Sequence, residues 1–157
     1  PFGVEAQRVL RLEKAHVIVS QDTDGLTTPR EAKMSWAVKM DKPFFVGQRS
    51  LQILEKKPPE RVLVGFTLPR GYSGVVPQEC HLVIENHEIA GRVTSIAYSP
   101  TLRRVIGLAY VRPHKEAIGS EFDIRIDDGT LVRATVVETP FYDPNNLRQS
   151  SEGYPHA

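Results

Sequence analysis

The sequence predicts an α+β fold in which a short helical segment is followed by an antiparallel barrel of six strands. Apolar residues recur with helical spacing in the first third of the chain, whereas short runs rich in Val, Ile and aromatic residues follow later. Between these regions, residues 55–60 contain paired lysines and paired prolines, which do not continue a helix. We therefore predict that residues 1–57 end one domain and that residues 58–157 form a barrel domain.

The helical segment is predicted to contain three helices. The first carries a stripe at i, i+3, i+4 and i+7 that we expect to face inward: Ala6, Val9, Leu10 and Glu13. The second begins at Pro29, with Thr28 as its N-cap and Glu31 as the partner in a capping box. The third spans residues 47–55, with apolar side chains that we expect to pack inward: Val46, Leu51 and Leu54.

Six later segments have the composition of β-strands: residues 61–68, 81–84, 89–97, 104–111, 121–126 and 131–138. Asp128 and Gly129 suit a tight hairpin turn, and residues 85–87 can supply a short polar turn. Strands joined in this way are antiparallel neighbours, so the pattern predicts a small barrel or sandwich, and we favour the barrel.

The composition is typical of a soluble globular protein, with 40% hydrophobic and 25% charged residues among 157. No apolar run approaches the ~20 residues that cross a bilayer, so we expect no membrane partner and a cytoplasmic location. The net charge is +1 and the charges are interspersed, which disfavours a nucleic-acid partner. Cys80 is the one cysteine and the five histidines are scattered, so we predict neither an internal disulfide nor a metal site.

Four stretches resemble one family: residues 9–15 (VLRLEKA), 27–38 (TTPREAKMSWAV), 45–51 (FVGQRSL) and 88–111 (EIAGRVTSIAYSPTLRRVIGLAYV). They are similar to the glycine-cleavage T-protein and to the large subunit of sarcosine oxidase. The ending PFYDPNNLRQ is more similar to the sarcosine oxidase subunits. The chain departs from the family at Lys33 and Met34, where a Gly-Leu pair is usual, and at Cys80 and His81, where small or polar residues are common.

The resemblance implies a protein of three domains around tetrahydrofolate that transfers a one-carbon unit from glycine- or sarcosine-type amines. Residues 1–57 would end the folate-binding domain, and residues 58–157 would form the capping barrel. The family's catalytic aspartate lies upstream, so we assign no catalytic residue and expect this chain alone to be inactive. The implied partners are the remaining domains of a parent chain or sister subunits. We expect the chain alone to self-associate or to leave residues 1–54 mobile. The alternative is a non-catalytic folate-binding or subunit-assembly module.

Three residues are candidate folate contacts. The helical stripe carries the Glu13 carboxylate inward, and the resemblance implies that it accepts N–H donors from the pterin. The alternatives are a salt bridge to Arg8 or Arg11, or simple exposure at the helix end. The counterpart of Trp36 lies close to the folate, whereas the alternative is a core aromatic residue. Lys42 stands where relatives keep a basic residue for the polar parts of folate, and the alternative is a solvated surface lysine.

Overall fold

The structure, a computed structural model, describes residues 1–149. Within this range it contains helices α1 (Val4–Glu13) and α2 (Gln48–Leu54) and the strands β1 (Val62–Thr67), β2 (Leu82–Glu85), β3 (Glu88–Ser99), β4 (Arg104–Val111), β5 (Glu121–Arg125) and β6 (Leu131–Val137). Short 3₁₀ turns lie at Ser35–Ala37, Pro113–Lys115 and Leu147–Gln149. The predicted α+β fold, with a helical segment before six strands, is confirmed.

The six strands form a closed antiparallel barrel in the order β1-β4-β3-β2-β5-β6. Pairing of β1 with β6, which places Phe66 opposite Val136, closes the ring and leaves no unpaired sheet edge. In the β2–β3 turn, Asn86 and His87 both have positive φ, and Gly129 has positive φ in the β5–β6 turn. Tight hairpins use this backbone conformation, so both predicted turns are confirmed.

The barrel interior is filled by alternate side chains of the strands, and its largest members are aromatic. The rings of Phe66 and Phe122 meet edge to face, with centroids 5.5 Å apart and planes at 79°. Gly107 makes room for this packing, because a Cβ atom there would lie 2.4 Å from Cζ of Phe66. The interior therefore depends on a specific large-to-small fit between neighbouring strands.

The outer face of β1 and β4 is also covered. Leu12, in the last turn of α1, packs against Leu63, Ile106, Leu108 and Tyr110. Every residue of β1 is buried as a result. Burial on both faces explains why these two strands are continuous apolar runs without the alternation of a half-exposed strand.

The predicted second helix is wrong. Its capping box does form, since the Glu31 N–H donates to Thr28 Oγ1 at 3.2 Å and the Thr28 N–H donates to the Glu31 carboxylate at 2.8 Å. Lys33 then adopts a positive φ of 54°, which takes the chain out of the right-handed helical path after one turn. The capping box is present, but the backbone leaves the helical conformation after one turn.

Most side chains predicted to face inward from the other two helices are exposed. Val46 is 92% exposed and Leu54 is 45% exposed, and Ala6 and Leu10 also face solvent. The buried residues of α1 are Leu12 and Glu13, both in its last turn. Helical periodicity defines a stripe, but it does not say which part of the stripe meets the barrel.

Candidate functional site

A buried polar cluster joins the helical segment to the barrel, and Asp22 is its centre. The Asp22 side chain is fully buried. One carboxylate oxygen accepts from Arg11 Nη1 at 2.6 Å and from the Ile18 N–H at 2.8 Å. The other accepts from the hydroxyls of Thr94 at 2.7 Å and Ser95 at 2.5 Å, both on β3. Four donors around one carboxylate offset the cost of burying its charge.

The cluster continues toward the start of β1. The Tyr110 hydroxyl donates to the backbone carbonyl of Asp22 at 2.9 Å, and burial raises the pKa of Tyr110. The Arg61 guanidinium lies 4.6 Å from the Tyr110 ring centre and forms ion pairs with Asp24 at 3.3 Å and Glu31 at 3.5 Å. These contacts fix the loop between α1 and α2 on the outer face of the barrel.

The Asp24 carboxylate is held ionised by its own loop. Hydrogen bonds from the Thr27 hydroxyl and the Leu26 N–H, together with the Arg61 charge, lower the pKa of Asp24 to about 2. The sequence reasoning missed this cluster, because Gln21-Asp22-Thr23-Asp24 has the composition of a solvated loop. One available signal was the pair Thr94-Ser95, which lies inside the longest stretch of family resemblance.

Glu13 is buried beside this cluster with partners of its own. Its carboxylate accepts from the Ser99 hydroxyl at 2.5 Å, and its backbone carbonyl accepts from the Tyr142 N–H at 3.0 Å. Among residues 1–149 it forms no ion pair, since Arg11 binds Asp22 and Arg8 lies 3.7 Å from Glu5. The salt-bridge alternative for Glu13 is therefore wrong, and so is exposure at the helix end, because Glu13 is buried. Its predicted contact with folate stays a prediction.

Trp36 lies at a surface cavity, which we call the Trp36 groove. The cavity has a volume of about 540 Å³ between the helical segment, β1 and the chain after β6, and it is lined by Lys14, Ala15, His16, Val17, Ala32, Lys33, Met34, Trp36, Leu63, Val64, Gly65, Leu108, Thr139 and Pro140. Trp36 is 75% exposed, so the core-aromatic alternative is wrong. An exposed indole beside Lys14 and Lys33 suits an aromatic, anionic ligand.

Lys42 lies away from this groove. It is exposed in the loop before α2, where its carbonyl accepts from Gln48 Nε2 at 3.0 Å. Neither Lys42 nor Glu13 lines the Trp36 groove, so the structure does not bring the three predicted contacts into one cavity. Across the described residues there is no cluster of three His, Cys, Asp or Glu side chains suited to a metal ion, and no helix long and apolar enough to span a bilayer.

Comparison with known proteins decides the family. Residues 61–143, more than half of the chain, match the family model described as the glycine cleavage T-protein C-terminal barrel domain. The chain belongs to the glycine cleavage T-protein family. Residues 1–42 match a second model, the GCVT N-terminal domain. The predicted family resemblance is confirmed, and the six-stranded barrel is the C-terminal barrel of this family.

Similar proteins are considerably longer than this chain. Aminomethyltransferases of Synechococcus sp. (strain WH7803) and Thermotoga petrophila are 39% and 38% identical over 143 residues, which is 90% of this chain but 38% and 37% of theirs. The crystal structure of glycine cleavage system aminomethyltransferase T from Bartonella henselae matches with a TM-score of 0.81 at 25% identity, covering 90% of this chain and 39% of that one. The chain thus spans well under half the length of these relatives.

Proposed function

We propose that this chain forms part of the tetrahydrofolate site of a one-carbon transfer protein that acts on a glycine- or sarcosine-type amine. The observation that carries the proposal is the exposed Trp36 in a groove of about 540 Å³ on a protein of the T-protein family. Aminomethyltransferase is the name of its relatives. The resemblance of residues 140–149 to sarcosine oxidase large subunits supports the sarcosine-type amine.

The groove has the chemistry that tetrahydrofolate requires. The planar pterin and the benzoyl ring can stack on the Trp36 indole, and a glutamate carboxylate can meet the Lys33 ammonium group at its edge. Its volume lies within the roughly 300–1,000 Å³ usual for sites of small molecules and cofactors. The Lys33 ammonium lies 3.7 Å from the Glu116 carboxylate, and its side chain is half-exposed. This ion pair holds Lys33 near the groove while leaving it accessible to a ligand.

The residues of this chain bind and orient tetrahydrofolate. The catalytic residue is assigned to the part of a longer protein that lies upstream of this chain. Tetrahydrofolate supplies, when bound, the amine that accepts the one-carbon unit. Trp36 fixes the plane of the ring system in the groove. Glu13 and Lys42 do not line the groove, and they are proposed as separate contacts, Glu13 to the pterin N–H donors and Lys42 to the polar parts of folate. Positioning of this kind lowers the activation free energy, because the reacting atoms are already close together and correctly oriented.

A non-catalytic assembly module is the second candidate function, and the exposed apolar side chains of the helical segment favour it. Phe2, Leu26, Phe44 and Val46 are each more than half exposed, and most of the exposed large hydrophobic side chains among residues 1–149 lie before residue 55. We propose that the remaining domains of a longer chain, or a sister subunit, cover this surface. The division into residues 1–57 and 58–157 belongs to the same proposal, and the two family matches on either side support it.

Tetrahydrofolate titration of a full-length protein that contains this chain tests the folate proposal. We expect Trp36→Ala to weaken the dissociation constant at least about tenfold, equivalent to ~1.4 kcal/mol of lost stacking. Trp36→Phe should retain most of the affinity, because it keeps an aromatic plane. Tyr98→Ala is the matched control, since Tyr98 is an exposed aromatic residue on β3 that does not line the groove. Equal affinity of the wild type and Trp36→Ala would exclude the groove as the folate site.

Glu13→Gln in the same protein tests the second contact. A charge-assisted hydrogen bond contributes about 1.5–3 kcal/mol, so a pterin contact predicts a loss of affinity of about tenfold to a hundredfold. Glu13 instead has only a structural role if Glu13→Gln lowers the melting temperature while affinity stays within about twofold. Ser99→Ala removes the observed partner of Glu13 and shows how much of either effect comes from that hydrogen bond.

A further inference from the structure

We infer that Lys14 and Asp143 are positioning residues that clamp residues 139–146, here called the strap, as one wall of the Trp36 groove. The strap follows β6 and crosses the outer face of β1. Thr139 and Pro140 line the groove directly. The role of the groove as a folate site rests on the proposed function, whereas the clamp itself rests on the contacts of these residues.

Gly65 of β1 allows the strap to approach the barrel closely. A Cβ atom at this position would lie 2.3 Å from Thr139 Cγ2 and 3.0 Å from Phe141 Cζ. Phe141 packs with the cluster that contains Leu12 and Leu63. The strap is therefore seated against β1 and the end of α1, and its start forms a wall of the groove.

Lys14 connects that wall to α1. Its ammonium donates to the Asp143 carbonyl at 2.6 Å, to Asp143 Oδ2 at 3.0 Å and to Asn146 Oδ1 at 2.9 Å. These bonds use all three of its donors. The adjacent Tyr142 N–H donates to the Glu13 carbonyl at 3.0 Å. Because Lys14 and Ala15 line the groove opposite Pro140, one residue ties the two walls together.

Asp143 binds both Lys14 and the backbone that follows the strap. Its side chain is 7% exposed and accepts from the N–H groups of Leu147 at 2.8 Å and Arg148 at 3.3 Å. Although desolvation opposes the shift, the Lys14 ammonium and these N–H groups hold the pKa of Asp143 below its usual value. Asp143 does not line the groove, so any effect it has on a ligand there must act through the strap.

Asp143→Asn tests the clamp, with Asp123→Asn as the matched control. Asp123 also binds a cation, Arg133, at 2.9 and 3.1 Å, but it lies on β5 outside the Trp36 groove. In the 157-residue chain we expect Asp143→Asn to speed hydrogen exchange of the Tyr142 amide at least about tenfold, because the strap opens more often, and Asp123→Asn to leave it unchanged. Unchanged exchange in Asp143→Asn overturns the clamp.

Tetrahydrofolate titration of the full-length protein then tests the positioning role. We expect Asp143→Asn and Lys14→Met to weaken binding by about fivefold to tenfold, with Lys14→Arg retaining most of the affinity and Asp123→Asn all of it. If the wild type binds and Asp143→Asn binds within about twofold of it, the positioning role is overturned. If the wild type does not bind, the proposed function fails, and the Tyr142 exchange rate still decides whether the clamp exists.

Discussion

The helical segment (residues 1–57) and the barrel (residues 58–149) are held in place by different forces. Four residues of the helical segment are buried, and two of them are carboxylates: Leu12, Glu13, Asp22 and Ala32. Of the eighteen large hydrophobic side chains that are exposed among residues 1–149, eleven lie before residue 55. The barrel, by contrast, encloses a continuous apolar interior. The segment is therefore attached to the barrel by buried polar contacts together with the apolar packing of Leu12, and much of its own apolar surface is left uncovered.

This difference shows which part of the chain has a core of its own. Strand pairing satisfies the backbone groups of the barrel, and its side chains fill one another's space. Helix α1 has ten residues and α2 has seven, too few to be stable in water without packing against a neighbour. Stability should accordingly be concentrated in the barrel.

The largest expected effect comes from opening the barrel core. Phe66→Ala should destabilise the chain by about 3–5 kcal/mol, because a fully buried ring is removed and a cavity remains. Trp36→Ala, in the helical segment, should change stability by less than about 0.5 kcal/mol, because that ring is largely exposed. Urea unfolding followed by far-ultraviolet circular dichroism measures both. Similar losses from the two substitutions would contradict the contrast between the regions.

Asp22→Asn should break the attachment between the two regions. It leaves the largely buried Arg11 guanidinium without its anion, which we expect to cost about 3 kcal/mol. Amide exchange should accelerate in α1 more than in β4, because the segment loosens while the barrel stays paired. Asp128→Asn is the control, since Asn-Gly suits the same hairpin turn as Asp-Gly. Uniform acceleration in both regions would mean that they unfold as one unit.

Limited proteolysis tests whether the barrel is a separate domain. We expect trypsin to cut first after Lys56, which is exposed between α2 and β1, because the Lys57–Pro58 bond resists trypsin. The fragment that begins at Lys57 should keep the circular dichroism of a β-protein. Early cleavage after Arg104 at the start of β4, with the segment between α2 and β1 intact, would show that the boundary is misplaced.

The smallest expected effect concerns pH and the Asp24–Arg61 ion pair between the regions. The pKa of Asp24 is about 2 in the folded chain, below its ordinary value of 3.8. A depressed pKa stabilises the folded state above the unfolded value, and this contribution is lost as the pH falls from 3.8 through about 2. Because Asp24 is substantially exposed, we expect less than about 1 kcal/mol.

Urea midpoints of the wild type and Asp24→Asn check this effect. The difference between them should be present at about pH 6, shrink to a small part near about pH 2, where Asp24 of the folded chain is half protonated, and vanish at still lower pH. A difference that persists at the lower pH would come from the hydrogen bonds of Thr27 and Leu26 and not from the charge.

Most of the fold follows from local sequence, and the candidate site does so only in part. The six strands and both hairpin turns were predicted because β-branched runs and turn residues report on a few neighbouring positions. The capping box at Thr28 was also predicted, but the helix after it was not formed, because Lys33 leaves the helical region. Local signals mark where an element begins more reliably than how far it continues.

The sequence by itself determined the six strands in their order along the chain, a small antiparallel β-domain and the family. Only the tertiary structure decided that Trp36 is exposed at a groove, that Glu13 meets Ser99, and that Asp22 is buried. The physical reason is distance along the chain. Asp22 binds Ser95, which is 73 positions away, and Lys14 binds Asp143, which is 129 positions away. A pattern within one segment does not identify a partner so distant in the sequence.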